Sequence, residues 1–300
     1  MQGLPFTHHL GCMADLYGLR DDLSQLDPEM GPDLHHCLEV LGIMDLPTFV
    51  LGRSTPYLGF WARFRRIQHV LANGIVGGVE VVTGLPRSLL DIFSRIHEPG
   101  AEIEFWLWPG EIGQFPQIHL WNSWRYGGML LARRASRKVN ATAAVASQAL
   151  HHPGQPGRAP FSGVPRTVVD GVKVTWNTRG QYGYVVKEFP LPSTEQLLCC
   201  VLSELDAMER ELARPENSHS LVENGFLYPF LAACLQVSLL KAHPEWKVAL
   251  CRFRDKWLLP GRTQNVDALL AVIDEAWASG DDDFDADAAA QRMNKEIALY

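Results

Sequence analysis

Cysteine is scarce and scattered in this chain: Cys12, Cys37, Cys199, Cys200, Cys234 and Cys251 are the whole supply in 300 residues. None forms a C-x-x-C pair, which excludes the common structural zinc frameworks. The density is also too low for a disulfide-stapled secreted domain, so the expected state is reduced thiols in an intracellular protein. No apolar run approaches the ~20 residues of a membrane span. The first residues lack the basic-then-apolar order of a signal peptide. Chemistry-bearing motifs are missing too, with no H-E-x-x-H, no G-x-S-x-G and no phosphate-cradling glycine loop. Gly74, Gly77 and Gly78 cluster, but at neither the Walker nor the dinucleotide spacing. The reading is therefore of a non-enzyme with no cofactor.

Positive charge is in the minority, 27 basic against 34 acidic side chains for a net −7. That balance opposes a whole-chain grip on nucleic acid or on an anionic membrane. Three histidine pairs, His8-His9, His35-His36 and His151-His152, invite a metal reading. Neighbouring side chains diverge in direction, so each pair offers one ligand at most easily, and no metal site is expected. Asp281, Asp283 and Asp285 open like a calcium loop, but Ala286 stands where the loop needs Gly and Arg292 where it needs Glu. A solvated turn before a last helix is the better account of that run.

What is present is ordinary globular material, 47% hydrophobic and 20% charged, arranged mostly in helix-sized apolar blocks divided by Gly and Pro. Residues 1–32 form an N-terminal segment, with Leu16, Leu19, Leu23 and Leu26 spaced for one short amphipathic helix. Residues 33–300 form the helical body. An insertion at about 151–192 opens with a Pro/Gly-rich linker and continues through Val-, Tyr- and Thr-rich stretches around Asn177–Gly180, the pattern of a β-hairpin.

Within the body, Ser193-Thr-Glu-Gln196 is a capping box, followed by Leu197, Leu198, Val201, Leu202, Leu205, Met208 and Leu212 on one helical face. Gly225–Ala242 is apolar nearly all round and predicts a single buried helix. The expected fold class is all-α, a multi-helix globular domain of on the order of ten helices with a small β-hairpin insertion. Its predicted core holds Leu90, Phe93, Trp121, Leu198, Val201, Leu205, Phe230, Leu231, Leu239 and Leu240.

Two basic clusters, Arg63-Arg65-Arg66 and Arg125-Arg133-Arg134-Arg137-Lys138, read as solvated helix faces or helix ends. Arg133-Arg134-Ala-Ser136 also has the shape of a basophilic kinase site, which makes Ser136 a candidate phosphosite.

One stretch resembles a known family. Gly78–Ile96, and within it Gly84-Leu85-Pro86-Arg87-Ser-Leu89-Leu90, is similar to a motif of the fungal-specific transcription factor domain. Further pieces follow in that family's order: Leu120–Leu131, Leu227–Cys234, Pro244–Lys247 and Ala271–Trp277. The resemblance implies the regulatory, non-DNA-binding region of a fungal transcription factor acting in the nucleus, controlling transcription through effector or partner binding. Its implied partners are proteins of the transcription machinery or another regulator. The family's zinc cluster needs six closely spaced cysteines near the N-terminus, whereas only Cys12 and Cys37 fall in the first hundred residues. DNA contact is therefore expected only through a segment absent here. The alternative is a truncated interaction module that pairs with full-length regulators.

Overall fold

The computed structural model describes residues 6–20, 23, 31–68, 76–149, 173–174, 189–217, 222, 225–260 and 263–300. Among them are twelve helices: α1 (Phe6–Leu16), α2 (Pro32–Met44), α3 (Phe60–Gln68), α4 (Arg87–Phe93), α5 (Ala101–Leu107), α6 (Phe115–Ala149), α7 (Thr194–Leu212), α8 (Leu227–Cys234), α9 (Val237–Ala242), α10 (Pro244–Phe253), α11 (Gln264–Ser279) and α12 (Ala286–Arg292). The fold is all-α with a small β-hairpin. In the hairpin, β2 (Lys173–Val174) runs antiparallel to β3 (Phe189–Pro190), with Lys173 opposite Pro190. Its expected turn, Asn177–Gly180, lies outside the described residues. No described helix is long and apolar enough to cross a membrane.

The long helix α6 is the axis of the body, with α5, α7 and α8 packed around it. Leu120, Trp121, Trp124, Met129 and Leu130 supply its buried surface. Around its middle an aromatic cluster forms in which Phe93 meets Phe49, Phe105, Trp124 and Tyr228 at centroid distances of 4.8 to 5.6 Å. Trp124 stacks on Tyr228 at 4.5 Å and donates its indole N–H to Gly225 O at 2.7 Å. A buried indole has to find such an acceptor, and here the acceptor is a loop carbonyl.

Helix α7 begins as its sequence dictates. The Ser193 hydroxyl accepts from the Gln196 N–H at 3.1 Å while the Gln196 side chain accepts from the Ser193 N–H at 2.8 Å. Leu197, Leu198, Val201, Leu205 and Met208 are buried from that start, each worth roughly 1.5–3 kcal/mol of transfer free energy. Of the predicted core, Leu90, Phe93, Trp121, Leu198, Val201, Leu205, Phe230, Leu231 and Leu240 are buried. Leu239 is a correction: it is only half-buried, because about 100° of helical rotation separates it from the inward-facing Leu240.

The single helix expected over Gly225–Ala242 is in fact two, α8 and α9, broken at Leu235–Gln236. A break strands the last carbonyls of α8, and side chains take them. The Gln236 amide donates to Ala232 O at 3.0 Å, the Trp277 indole to Cys234 O at 3.0 Å, and Arg134 Nη1 to Leu235 O at 3.3 Å.

The N-terminal helix also lies earlier than its leucine spacing suggests. Helix α1 ends before Gly18, where the Leu19 N–H reaches back to Ala14 O at 2.7 Å. Leu16 is thereby left exposed, while Leu19 and Leu23 pack with Leu10 and Ala14 against Leu38, Leu41, Phe60 and Phe64 of α2 and α3. Leu26 lies outside the described residues.

A second ladder was not legible in the sequence. Strand β1 (Val50–Leu51) pairs antiparallel with β4 (Ile297–Ala298), and Leu299 N–H continues it by donating to Phe49 O at 2.9 Å. Gly52, directly after β1, has φ +71°, and a Cβ there would stand 2.3 Å from Lys295 O. Glycine is required at that crossing.

Candidate functional site

The motif that carries the family resemblance is a structural lock. Gly84 turns the chain at φ 68° and its carbonyl accepts the Trp121 indole N–H at 2.7 Å. Leu85, Leu89 and Leu90 are sealed in the core. Pro86 caps α4 from the position before its first helical residue. Arg87 is buried, donates to Gly77 O at 3.0 Å and Val79 O at 2.9 Å, and grips the Glu39 carboxylate of α2 with Nε and Nη2. Beside this pair, His35 Nε2 lies 3.3 Å from the Gln68 amide, which joins α3 to the same network. The turn before the motif is held by the buried Glu80 carboxylate, which accepts from the N–H groups of Val82 and Thr83 and from the Thr83 hydroxyl.

The basic cluster of α6 is corrected by the structure, whereas Arg65 and Arg66 do stand in the last turn of α3, a helix end, with Arg66 exposed. Far from forming a solvated face, Arg125 donates to the carbonyls of Phe105 and Trp106 at the end of α5. Arg133 pairs with Glu102 and also reaches Thr194 and Pro192 O. Arg65 pairs with Asp91 at 2.8 Å. Ser136 is exposed but lies inside the continuous helix α6, while the two arginines meant to recommend it to a kinase are turned into the protein.

Arg134 is the most deeply placed of these arginines, at 5% exposure. Its guanidinium donates to three backbone carbonyls, those of Leu235, Asp282 and Phe284. Among the described residues no carboxylate forms an ion pair with it. Desolvation pulls its pKa below the usual arginine value and neighbouring Arg137 adds to that, while Asp281, Asp282 and Asp283 oppose it from a distance. An arginine remains charged through any such shift at neutral pH.

Arg134 forms part of the wall of a cavity of about 220 Å³. Five segments remote in sequence enclose it: the stretch from Pro47 through β1, His97 beyond α4, one face of α6, the end of α8, and the α12–β4 terminus. Leu131, Arg134 and Ala135 fall on one face of α6 by their spacing, and Leu231 and Leu235 fall likewise on α8. Val50, Leu51 and Leu299 add apolar wall from the β1–β4 ladder. Thr48 brings a hydroxyl whose oxygen lies 3.4 Å from that of Tyr228, and burial pushes the Tyr228 phenol well above its ordinary range. Exposed Asp287 and His97 are the outer polar members. Asp287 accepts the Gly52 N–H at 3.0 Å, and lost hydration lowers the His97 pKa against the pull of Asp287. The result is a small half-open cleft, mostly apolar with a few fixed polar groups, the general make-up of a small-molecule site.

The remaining sequence features serve the fold. Among the described residues no group of three or more His, Cys, Asp or Glu side chains is arranged to hold a metal ion. His8 and His9 lie on α1, His35 is buried and His36 exposed on α2, and His151-His152 lies outside the described residues. Asp285 caps α12 by accepting the Ala288 N–H at 3.1 Å, so the acidic run is a helix start. Ser238 and Lys241 stand at S-x-x-K spacing on α9. Their bonds, to Asp282 Oδ1 at 2.8 Å and Gly280 O at 3.4 Å, tie α9 to the α11–α12 turn.

Sequence reasoning missed Arg134 as a site residue, although a signal existed. Leu120, Trp124, Gly127 and Leu131 mark a 4-3-4 stripe along α6, and Arg134 is its next member, a charge placed on an apolar face. Compared with protein-family models, with curated proteins and with solved structures, the chain gives no match.

Proposed function

We propose that this chain is a regulatory region of a fungal transcription factor, a helical body that controls transcription by binding an effector. The observation that carries the reading is the cavity beside Arg134. A ligand there would touch segments from residue 47 to residue 299 at once and so bias the arrangement of the whole body. Such a ligand shifts a conformational equilibrium only by its difference in affinity for the two states, and a site shared by five segments changes shape with any rearrangement among them. The resemblance of Gly78–Ile96 to the fungal-specific transcription factor domain supplies the context of gene control and of nuclear action.

The test is a reporter fusion in a fungal host, with this chain placed behind a foreign DNA-binding domain. Expected is activation or repression that varies with growth condition. A fusion that is silent under every condition, though expressed and folded, overturns the reading.

One observation favours the alternative of an interaction module pairing with full-length regulators. The α5–α6 connection exposes Leu107, Ile112 and Phe115, with Ile112 at 96%. Light scattering of mixtures with intact regulators tests it: a defined heteromer supports pairing, and monodisperse separate species reject it.

A further inference from the structure

We propose that the cavity beside Arg134 is a binding site for a small organic monocarboxylate with an apolar tail. The inference builds on the effector reading and names the chemistry of the effector.

Arginine carries five N–H donors, and the bonds to Leu235, Asp282 and Phe284 use two from Nη1 and one from Nη2. The Nε–H and the second Nη2–H are left without an acceptor among the described residues. These are the same two nitrogens with which Arg87 holds the Glu39 carboxylate, so the chain already shows what this edge of a guanidinium binds. A charge at 5% exposure whose protein acceptors are neutral carbonyls gains most from an anion brought into the same low-dielectric space. Positively charged Arg137, one turn further along α6, adds to the attraction.

The rest of the cavity sets the remainder of the ligand. Val50, Leu51, Leu131, Leu231, Leu235 and Leu299 offer apolar wall, so the part beyond the carboxylate is hydrocarbon or aromatic. The volume of about 220 Å³ lies below the roughly 300–1,000 Å³ of drug-sized pockets, which points to a ligand of fragment size. The acids decide its charge. Asp287 sits on the wall, and Asp281, Asp282 and Asp283 act on Arg134 from outside, so a second negative charge on the ligand is repelled. A dianion such as phosphate is therefore disfavoured against a monoanion with an apolar body.

The experiment measures thermal unfolding and methyl NMR of the purified chain with 3-phenylpropionate, octanoate, 3-phenylpropionamide and inorganic phosphate at millimolar concentration. Both carboxylates should raise Tm saturably, as a ligand of the native state must, and should shift the methyl signals of Leu231 and Leu299. The amide and phosphate should do neither. Arg134→Lys keeps the charge but loses the two-pronged edge, and should weaken binding at least tenfold. Because Arg134 also holds three carbonyls, Ala135→Leu is the independent variant: it fills the cavity from α6, should leave cooperative unfolding intact, and should abolish both responses. Equal effects of amide and carboxylate, a response to phosphate alone, or no response to either carboxylate in the wild-type chain would each overturn the proposal. None of these measurements involves transcription, so a silent reporter with an intact binding response rejects the regulatory reading alone.

Discussion

Arg87 and Glu39 face each other across 48 residues of sequence through hydrogen bonds of 2.5 and 2.8 Å, with both side chains 4% exposed. This pair bolts α4 to α2 at the point where the glycine-leucine-proline turn enters the body. The electrostatic gain of such a pair is largely offset by the desolvation of two charges, so it specifies the arrangement more than it stabilises it.

Removing one partner leaves the other charged and buried. Arg87→Met should therefore cost about 3–5 kcal/mol, and the double variant Arg87→Met with Glu39→Leu should recover most of that loss. Urea denaturation of the four members of the cycle measures both numbers. A single variant within about 0.5 kcal/mol of wild type would contradict the buried-pair account.

His35 gives this same region a pH dependence. Burial pushes its imidazole below the ordinary value, with Glu39 raising it and Arg87 and His36 lowering it further. The unfolded chain takes up a proton at about pH 6.5 while the folded chain still resists it, so the unfolded state binds more protons there. Stability from the neutral ring is complete above the unfolded value and lost as pH falls through it toward the folded one. Denaturation midpoints between about pH 7.5 and about pH 5.5 should fall less steeply in His35→Gln than in wild type. Parallel slopes would remove His35 as the cause.

At the α7 start, Ser193→Ala deletes one arm of the capping box and should cost about 1 kcal/mol. The loss should be local. Hydrogen exchange of the Gln196 amide should accelerate in the variant, and an unchanged exchange rate would show that the cap contributes nothing.

Gly52→Ala tests the crossing of β1 with the C-terminal segment. The added methyl would meet Lys295 O at 2.3 Å and the Ala290 Cβ at 2.8 Å, on a backbone with φ +71°. The left-handed conformation alone costs an alanine about 1–3 kcal/mol, and the clash adds to it. Thermal unfolding should show a clear drop in Tm, together with loss of the Leu299 N–H protection that depends on Phe49 O.

What could be read from the sequence was what local patterns encode. The α7 start is a four-residue signal and was legible in full, and along its regularly spaced apolar face only Leu202 and Leu212 stop at half-burial. The break between α8 and α9 was not, because the groups that make it tolerable, Arg134 and Trp277, lie about 100 and 43 residues from the carbonyls they cap. Two-residue strands carry no periodicity, so nothing near Val50 announces its pairing with Ala298. The arginines of α6 were misread for a related reason: their clustering in sequence suggested a solvated face, whereas Arg125, Arg133 and Arg134 each reach backbone carbonyls of other segments. Arg134 alone carried a usable sign, a charge in register with an apolar stripe.

The antiparallel pairing of residues 50–51 with 297–298 also has a consequence for synthesis. One wall of the cavity, Leu299, leaves the ribosome long after Val50 and Leu51. A nascent chain therefore has to keep residues 50–51 unpaired until residues 297–298 have emerged. The cavity is complete only once that later stretch has docked.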